Sequence, residues 1–170
     1  MLLPLSLLFV GAVLFLNGIW MSGRIADREI VIINVVVAVI TAAVAADGVF
    51  GATDPAAVKS AALTLLFTTT YLWVAYNRIT GVDGRGLGWF SLFVAITVVP
   101  VAIEETLGAD SLLALWLGLA WAAWAVLWFM YFLLLALQRP IGGAATLATL
   151  LCGIFTGWLP ALCMFYGVLA

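Results

Sequence analysis

Histidine is missing from all 170 residues. Its absence removes the commonest metal ligand and the one side chain that ordinarily titrates between pH 5 and 8. Charge is almost as scarce. Asp, Glu, Lys and Arg together make up 8% of the chain, with a net charge of −2. That leaves no basic patch for nucleic acid and no polar segment long enough to form a separate soluble domain. Cysteine occurs twice, at Cys152 and Cys163 in the same apolar stretch. On a helix their separation is roughly 16 Å at 1.5 Å of rise per residue, too far for a disulfide. No nucleophile–base pair and no metal-ligand cluster occurs in any apolar segment, so the chain reads as a non-enzyme without cofactor or metal.

What the chain has in abundance is hydrophobicity, at 67% of residues. A soluble domain of this size is never so apolar, and the composition implies an integral membrane protein. Six apolar segments stand out, at about 2–21, 30–46, 60–77, 87–103, 112–137 and 143–169, each near the ~20 residues a helical span needs. The first starts Met1-Leu-Leu-Pro4 with no positive flank and runs to Met21, so it reads as a span rather than a cleaved signal peptide. The expected connections are Ser22-Gly23-Arg24, Asp47-Gly48, Gly81 to Gly84, Thr106-Leu107-Gly108 and Arg139-Pro140. Such short links predict three antiparallel hairpins packed as one all-α domain over residues 1–170. Arg24, Arg28, Arg78, Arg85 and Arg139 lie in or beside the first, third and fifth connections, with Lys59 the one basic residue on the other side. The positive-inside rule then makes the arginine side cytoplasmic and puts both termini outside.

No Asp, Glu or Lys falls in the middle of a span. Proton- or ion-coupled carriers usually need such a group, so a passive route for a neutral solute is the better reading. Among the uncharged polar residues, Asn17, Asn34 and Asn77 fall near the cytoplasmic ends of three spans. They read either as interhelical hydrogen-bonding groups, the reading that spacing favours, or as an amide-rich inner vestibule. Phe67 and Tyr71 are i, i+4 neighbours in the third span, beside Thr64 and Thr68. In the sixth, Thr149, Cys152 and Thr156 share a face, and Gly153 and Gly157 permit close helix approach.

The fifth span holds Trp116, Trp121, Trp124 and Trp128. Membrane tryptophans usually collect at the water interface, yet the last three lie deep in the run. Their i, i+3, i+7 spacing puts them on one helix face. A buried indole N–H needs an acceptor, and acceptors are few here. Two readings stay open: an aromatic core, or one wall of a narrow polar path.

Four stretches then carry a resemblance. They are Leu7-Leu-Phe-Val-Gly11 through Asn17-Gly18; Leu65-Leu66-Phe67 through Tyr71-Leu72 to Asn77, continued by Trp89 to Ile96 and Pro100; the run Trp121 to Trp128; and Gly153 through Thr156, Trp158, Pro160 and Ala161. In order and over five of six spans, they resemble the AmiS/UreI family of bacterial urea and short-chain amide channels. The resemblance implies six transmembrane helices per protomer and a pore within each protomer. It also implies a homohexameric ring whose centre is filled by membrane lipid, in the bacterial inner membrane. Trp121, Trp124 and Trp128 match pore-lining tryptophans, and Phe67 and Tyr71 match the aromatics facing them. Trp128, Phe67 and Tyr71 are thereby expected near the cytoplasmic constriction. Leu3, Leu7 and Leu14 match leucines of an outer constriction, and Asn17 is expected to contact solute.

Departures from the family pattern are equally specific. Leu117 stands where a tryptophan is expected one turn before Trp121, and Cys152 stands where a membrane-embedded glutamate is expected. Histidine-based acid gating cannot operate in a chain without histidine. The resulting expectation is a passive channel for small neutral amides such as urea, acetamide or formamide, constitutively open unless outer carboxylates such as Glu104, Glu105 or Asp110 take the place of the histidines. A non-transporting scaffold or sensor and an ion-coupled carrier are the alternatives.

Overall fold

The computed structural model describes residues 2–168. Its six membrane-length helices are α1 (Leu2–Met21), α2 (Ile30–Phe50), α3 (Pro55–Thr80), α4 (Arg85–Leu107), α5 (Leu112–Ala136) and α6 (Gly142–Phe165), with no strand among the described residues. This is an all-helical, multi-pass membrane protein. Three helices outrun the apolar stretches that announced them. Asp47 and Gly48, expected in a connection, continue α2 to Phe50, and Thr106 and Leu107 continue α4. Neither pair stops a helix by itself, and the true ends are set by local chemistry. Asp54 accepts a hydrogen bond from the Ala57 N–H ahead of Pro55, a residue suited to the first turn, and so starts α3 well before Lys59. Gly81, with φ +73°, ends α3 in the left-handed conformation.

Lipid offers helices no hydrophobic reason to associate, so close packing and internal hydrogen bonds hold the bundle together. The most extensive pairings are α2 with α3, α4 with α5, and α1 with α6. The first two are joined by the short connections 51–54 and 108–111. The third differs from a sequential hairpin, since it joins the first span to the last. Glycine makes it possible. A Cβ added at Gly11 would lie 2.4 Å from the Trp158 nitrogen, and one at Gly157 would lie 2.5 Å from the Gly11 Cα. Backbone meets backbone at this crossing.

The outside is apolar, with Ile32, Val39, Phe93, Ile96, Leu119 and Val126 all exposed. The polar side chains Asn34, Thr41, Ser91 and Thr149 are buried. Most hydroxyls fold back onto a carbonyl one turn earlier, as Thr70, Ser91, Thr149 and Thr156 do, which satisfies them within their own helix.

One stretch of α6, Gly153–Trp158, is widened into π-helical turns, with the Leu159 N–H bonded to the Ile154 carbonyl five residues back. Pro160 explains the position. It has no N–H to give to the Thr156 carbonyl, and its ring crowds that turn. The Phe155 carbonyl takes an indole donor instead, from Trp116 Nε1 at 2.7 Å. A second widened turn, Phe132–Ala136, closes α5.

Candidate functional site, two cavities and an aromatic divide

The tryptophan face of α5 lies against Phe67 of α3. The Phe67 ring centroid is 4.9 Å from those of both Trp124 and Trp128, 6.0 Å from that of Trp121 and 6.3 Å from that of Tyr71. The contact with Trp124 is edge-to-face, at 80°, a geometry aromatic rings favour. Trp121 stands 5.0 Å from Trp124, again nearly perpendicular. The five aromatics expected to face one another are therefore one cluster.

The scarce acceptors are found on neighbouring helices. Trp124 Nε1 donates to Thr156 Oγ1 at 2.7 Å, and Trp128 Nε1 donates to Thr70 Oγ1 at 3.3 Å. Both indoles are buried, so these bonds fix the ring planes as well as satisfying the N–H groups. Spacing puts Thr156 on one face with Thr149 and Cys152 and does not single out Thr70. Their pairing is a tertiary fact, invisible to helical spacing.

Two cavities flank this cluster. One, of about 370 Å³, opens toward the carboxylate-bearing connections. Its lining includes Leu3, Leu7, Thr64, Leu117 and Trp121, with Lys59, Glu104 and Glu105 at its rim. The other, of about 300 Å³, opens toward the arginine-bearing connections, and Leu14, Asn17, Thr70, Tyr71, Asn77, Trp128 and Tyr131 are on its wall. Phe67 and Trp124 border both. They form the divide between two cavities that approach from opposite ends of the bundle.

Most candidate residues reach one cavity or the other. Leu3 and Leu7 share the carboxylate-side cavity with Leu117 and Trp121. Leu14 does not join them and lies beyond the divide, on the arginine side. The reason is helical rise: Leu14 is seven residues past Leu7, two turns deeper. Cys152 borders neither cavity. It is buried in the core of the bundle. Asn17 is on the wall but engaged. It exchanges two hydrogen bonds with Asn34, at 3.2 and 2.8 Å, tying α1 to α2.

Each mouth carries a small charged group. On the arginine side, Arg78 pairs with Asp27 at 3.5 Å and lies over the Trp20 ring at 5.2 Å, while Trp20 Nε1 donates to Asp27 at 2.7 Å. On the other side, Lys59 pairs with Glu104 between α3 and α4. Arg78 lines the arginine-side cavity and Lys59, Glu104 and Glu105 line the other; no other charged side chain among the described residues lines either one.

Comparison with known proteins agrees with this architecture. A family model described as AmiS/UreI family transporter matches residues 2–168. A relative from Mycolicibacterium smegmatis, named for the transport of amidate substrates, is 41% identical over 161 residues, covering 92% of this chain and 73% of that one. The acid-activated urea channel of Helicobacter pylori (strain ATCC 700392 / 26695) is 34% identical, covering 96% and 97%. The crystal structure of the urea channel from that organism superposes with a TM-score of 0.87 at 31% identity, covering all of both chains.

Proposed function

The chain belongs to the AmiS/UreI family of transporters, and on that premise we propose that it is a passive channel for small neutral amides. Urea, acetamide and formamide are the solutes whose size and chemistry fit. The observation that carries the reading is the pair of cavities meeting at Phe67 and Trp124. A static bundle built only for packing has no need of two hollows approaching one divide from opposite ends.

In this mechanism a planar amide crosses the divide with its faces against the rings of Phe67, Trp121, Trp124 and Trp128. Its edges exchange hydrogen bonds with the Tyr71 hydroxyl, which has no protein partner among the described residues, and with the free valences of the Asn17 amide. Because Trp124 and Trp128 are held by Thr156 and Thr70, the slot is organised before solute arrives. Ions are rejected because an aromatic constriction strips their hydration and its rings carry no charge to compensate. Each contact stays weak, as conduction requires.

The arginine mouth is cytoplasmic on this reading, the termini face out, and six copies form a ring around lipid in the bacterial inner membrane. No histidine is present to close the path in neutral medium, so the channel stays open. Stopped-flow flux of urea and acetamide into proteoliposomes, in buffers of about pH 5 and about pH 7.5, tests these points together. Expected is saturation-free flux that needs no ion gradient, differs by less than about twofold between the buffers, and changes in Tyr71→Ala and Trp128→Ala. Flux no greater than in protein-free vesicles refutes the channel, and a steep acid dependence refutes the open state.

A further inference from the structure

Two side-chain atoms stand out among the described residues: Ser6 Oγ and Asn77 Oδ1 are wholly shielded and have no protein hydrogen-bond partner. Their residues line different cavities: Ser6 the carboxylate-side one and Asn77 the arginine-side one. Both exceptions depart from a rule the bundle otherwise keeps. Its buried threonine and serine hydroxyls turn back onto their own helix, whereas Ser6 does not. Of the three buried asparagines, Asn17 and Asn34 satisfy each other, whereas Asn77 does not. Asn77 is 3% exposed. Its backbone carbonyl accepts the Gly81 N–H at 2.9 Å, which anchors the residue at the last turn of α3. Its Nδ2 faces the connection, where a Cβ at Gly84 would lie 3.4 Å away.

Shielded oxygens without a protein partner are costly in a membrane interior, and the position of their residues on the two cavity walls points to what completes them. We propose that Ser6 Oγ and Asn77 Oδ1 are paired docking points of the conduction path, each accepting an N–H hydrogen bond from an amide solute on its own side of the Phe67–Trp124 divide. This rests on the channel reading above and adds a chemical rule to it: the path ranks solutes by the N–H groups they carry as well as by size. Both oxygens are shielded in the resting packing. The terminal torsion of asparagine and the hydroxyl rotor of serine are soft enough to turn them to the cavity. Two such points, one before and one after the dehydrating rings, let a solute exchange one acceptor for the next.

Three constitutional isomers separate this rule from sieving. Propionamide offers two N–H bonds, N-methylacetamide one and N,N-dimethylformamide none, at equal molecular formula. Their flux is measured in proteoliposomes of the full chain, with protein-free vesicles subtracted. The wild type is expected to conduct them in that order. Asn77→Leu and Ser6→Ala are each expected to lower propionamide flux about fivefold, the scale of one hydrogen bond between neutral groups, while N,N-dimethylformamide moves less than about twofold. Asn77→Ser, which keeps a short acceptor, is expected to recover part of the preference and covers the case in which the leucine variant does not reconstitute. Flux that is present but not ordered by N–H count, or an order unchanged in the Asn77 and Ser6 variants, overturns the docking points and leaves the channel standing. The absence of protein-dependent flux for these isomers and for acetamide overturns both.

Discussion

Replacing Thr156 with valine keeps the shape of the side chain and removes the oxygen that accepts the Trp124 indole N–H at 2.7 Å. Trp124 is 5% exposed, so its N–H has no water to fall back on. In soluble proteins a buried donor deprived of its partner costs about 1–3 kcal/mol. Between membrane helices the measured coupling is smaller, about 0.6 kcal/mol on average with a maximum near 1.7. The lower range is the relevant one here, because the ring can tilt to seek another acceptor. That tilt is the functional point. The Trp124 ring meets Phe67 edge-to-face at 4.9 Å, and once released it no longer fixes the thickness of the slot. Converted at about 1.4 kcal/mol per decade, the coupling predicts that selectivity for planar acetamide over non-planar glycerol falls by about threefold to about fifteenfold. Stopped-flow light scattering of proteoliposomes measures both solutes on one preparation. Trp124→Phe and the double variant complete a cycle, in which the two substitutions should be clearly non-additive. An additive cycle, or a Thr156→Val channel whose selectivity stays within about twofold of wild type, refutes the claim that this bond holds the divide.

Two further outcomes follow from packing and polarity. Gly11→Ala puts a methyl group 2.4 Å from the Trp158 backbone nitrogen, whereas Gly143→Ala meets nothing within 4 Å; the first should destabilise the bundle by about 1–3 kcal/mol and the second by well under that, read as thermal or denaturant unfolding in detergent. Asn17→Leu leaves Asn34 without its reciprocal partner, so the single variant should unfold more readily than the double variant Asn17→Leu/Asn34→Leu, and equal or worse stability in the double variant counts against the pair as a structural tie.

The six spans were legible because hydropathy and length suffice to identify them, and the few charges were already sorted by side. Helix ends were less so. Asp47 looks like a loop residue by composition, yet α2 runs past it to Phe50, and the start of α3 is fixed by Asp54 with Pro55. The tryptophan face was legible from spacing, and Phe67 and Tyr71 do join it. What spacing cannot supply is depth and partnership. Leu14 sits on the far side of the divide from Leu7, Cys152 is buried in the core and lines neither cavity, and Asn17 is tied to Asn34. Thr70 and Thr156 carry no signal of their own, since a threonine in a span ordinarily bonds its own helix, as both of these also do. Their second role exists only because α3 and α6 come together around α5.

The backbone contact between α1 and α6 also sets an order of assembly. The first of the six spans to enter the bilayer meets its tightest partner only after the last has been made, so the glycine face of α1 stays uncovered while α2 to α5 insert. During that interval the Asn17–Asn34 pair is the available polar clasp holding α1 to the growing bundle. The arginine-side cavity takes Leu14 and Asn17 from α1 and Gly142 and Thr146 from α6. It is therefore walled only once α6 has joined α1, so the enclosure of this cavity waits on the same glycine contact that closes the bundle.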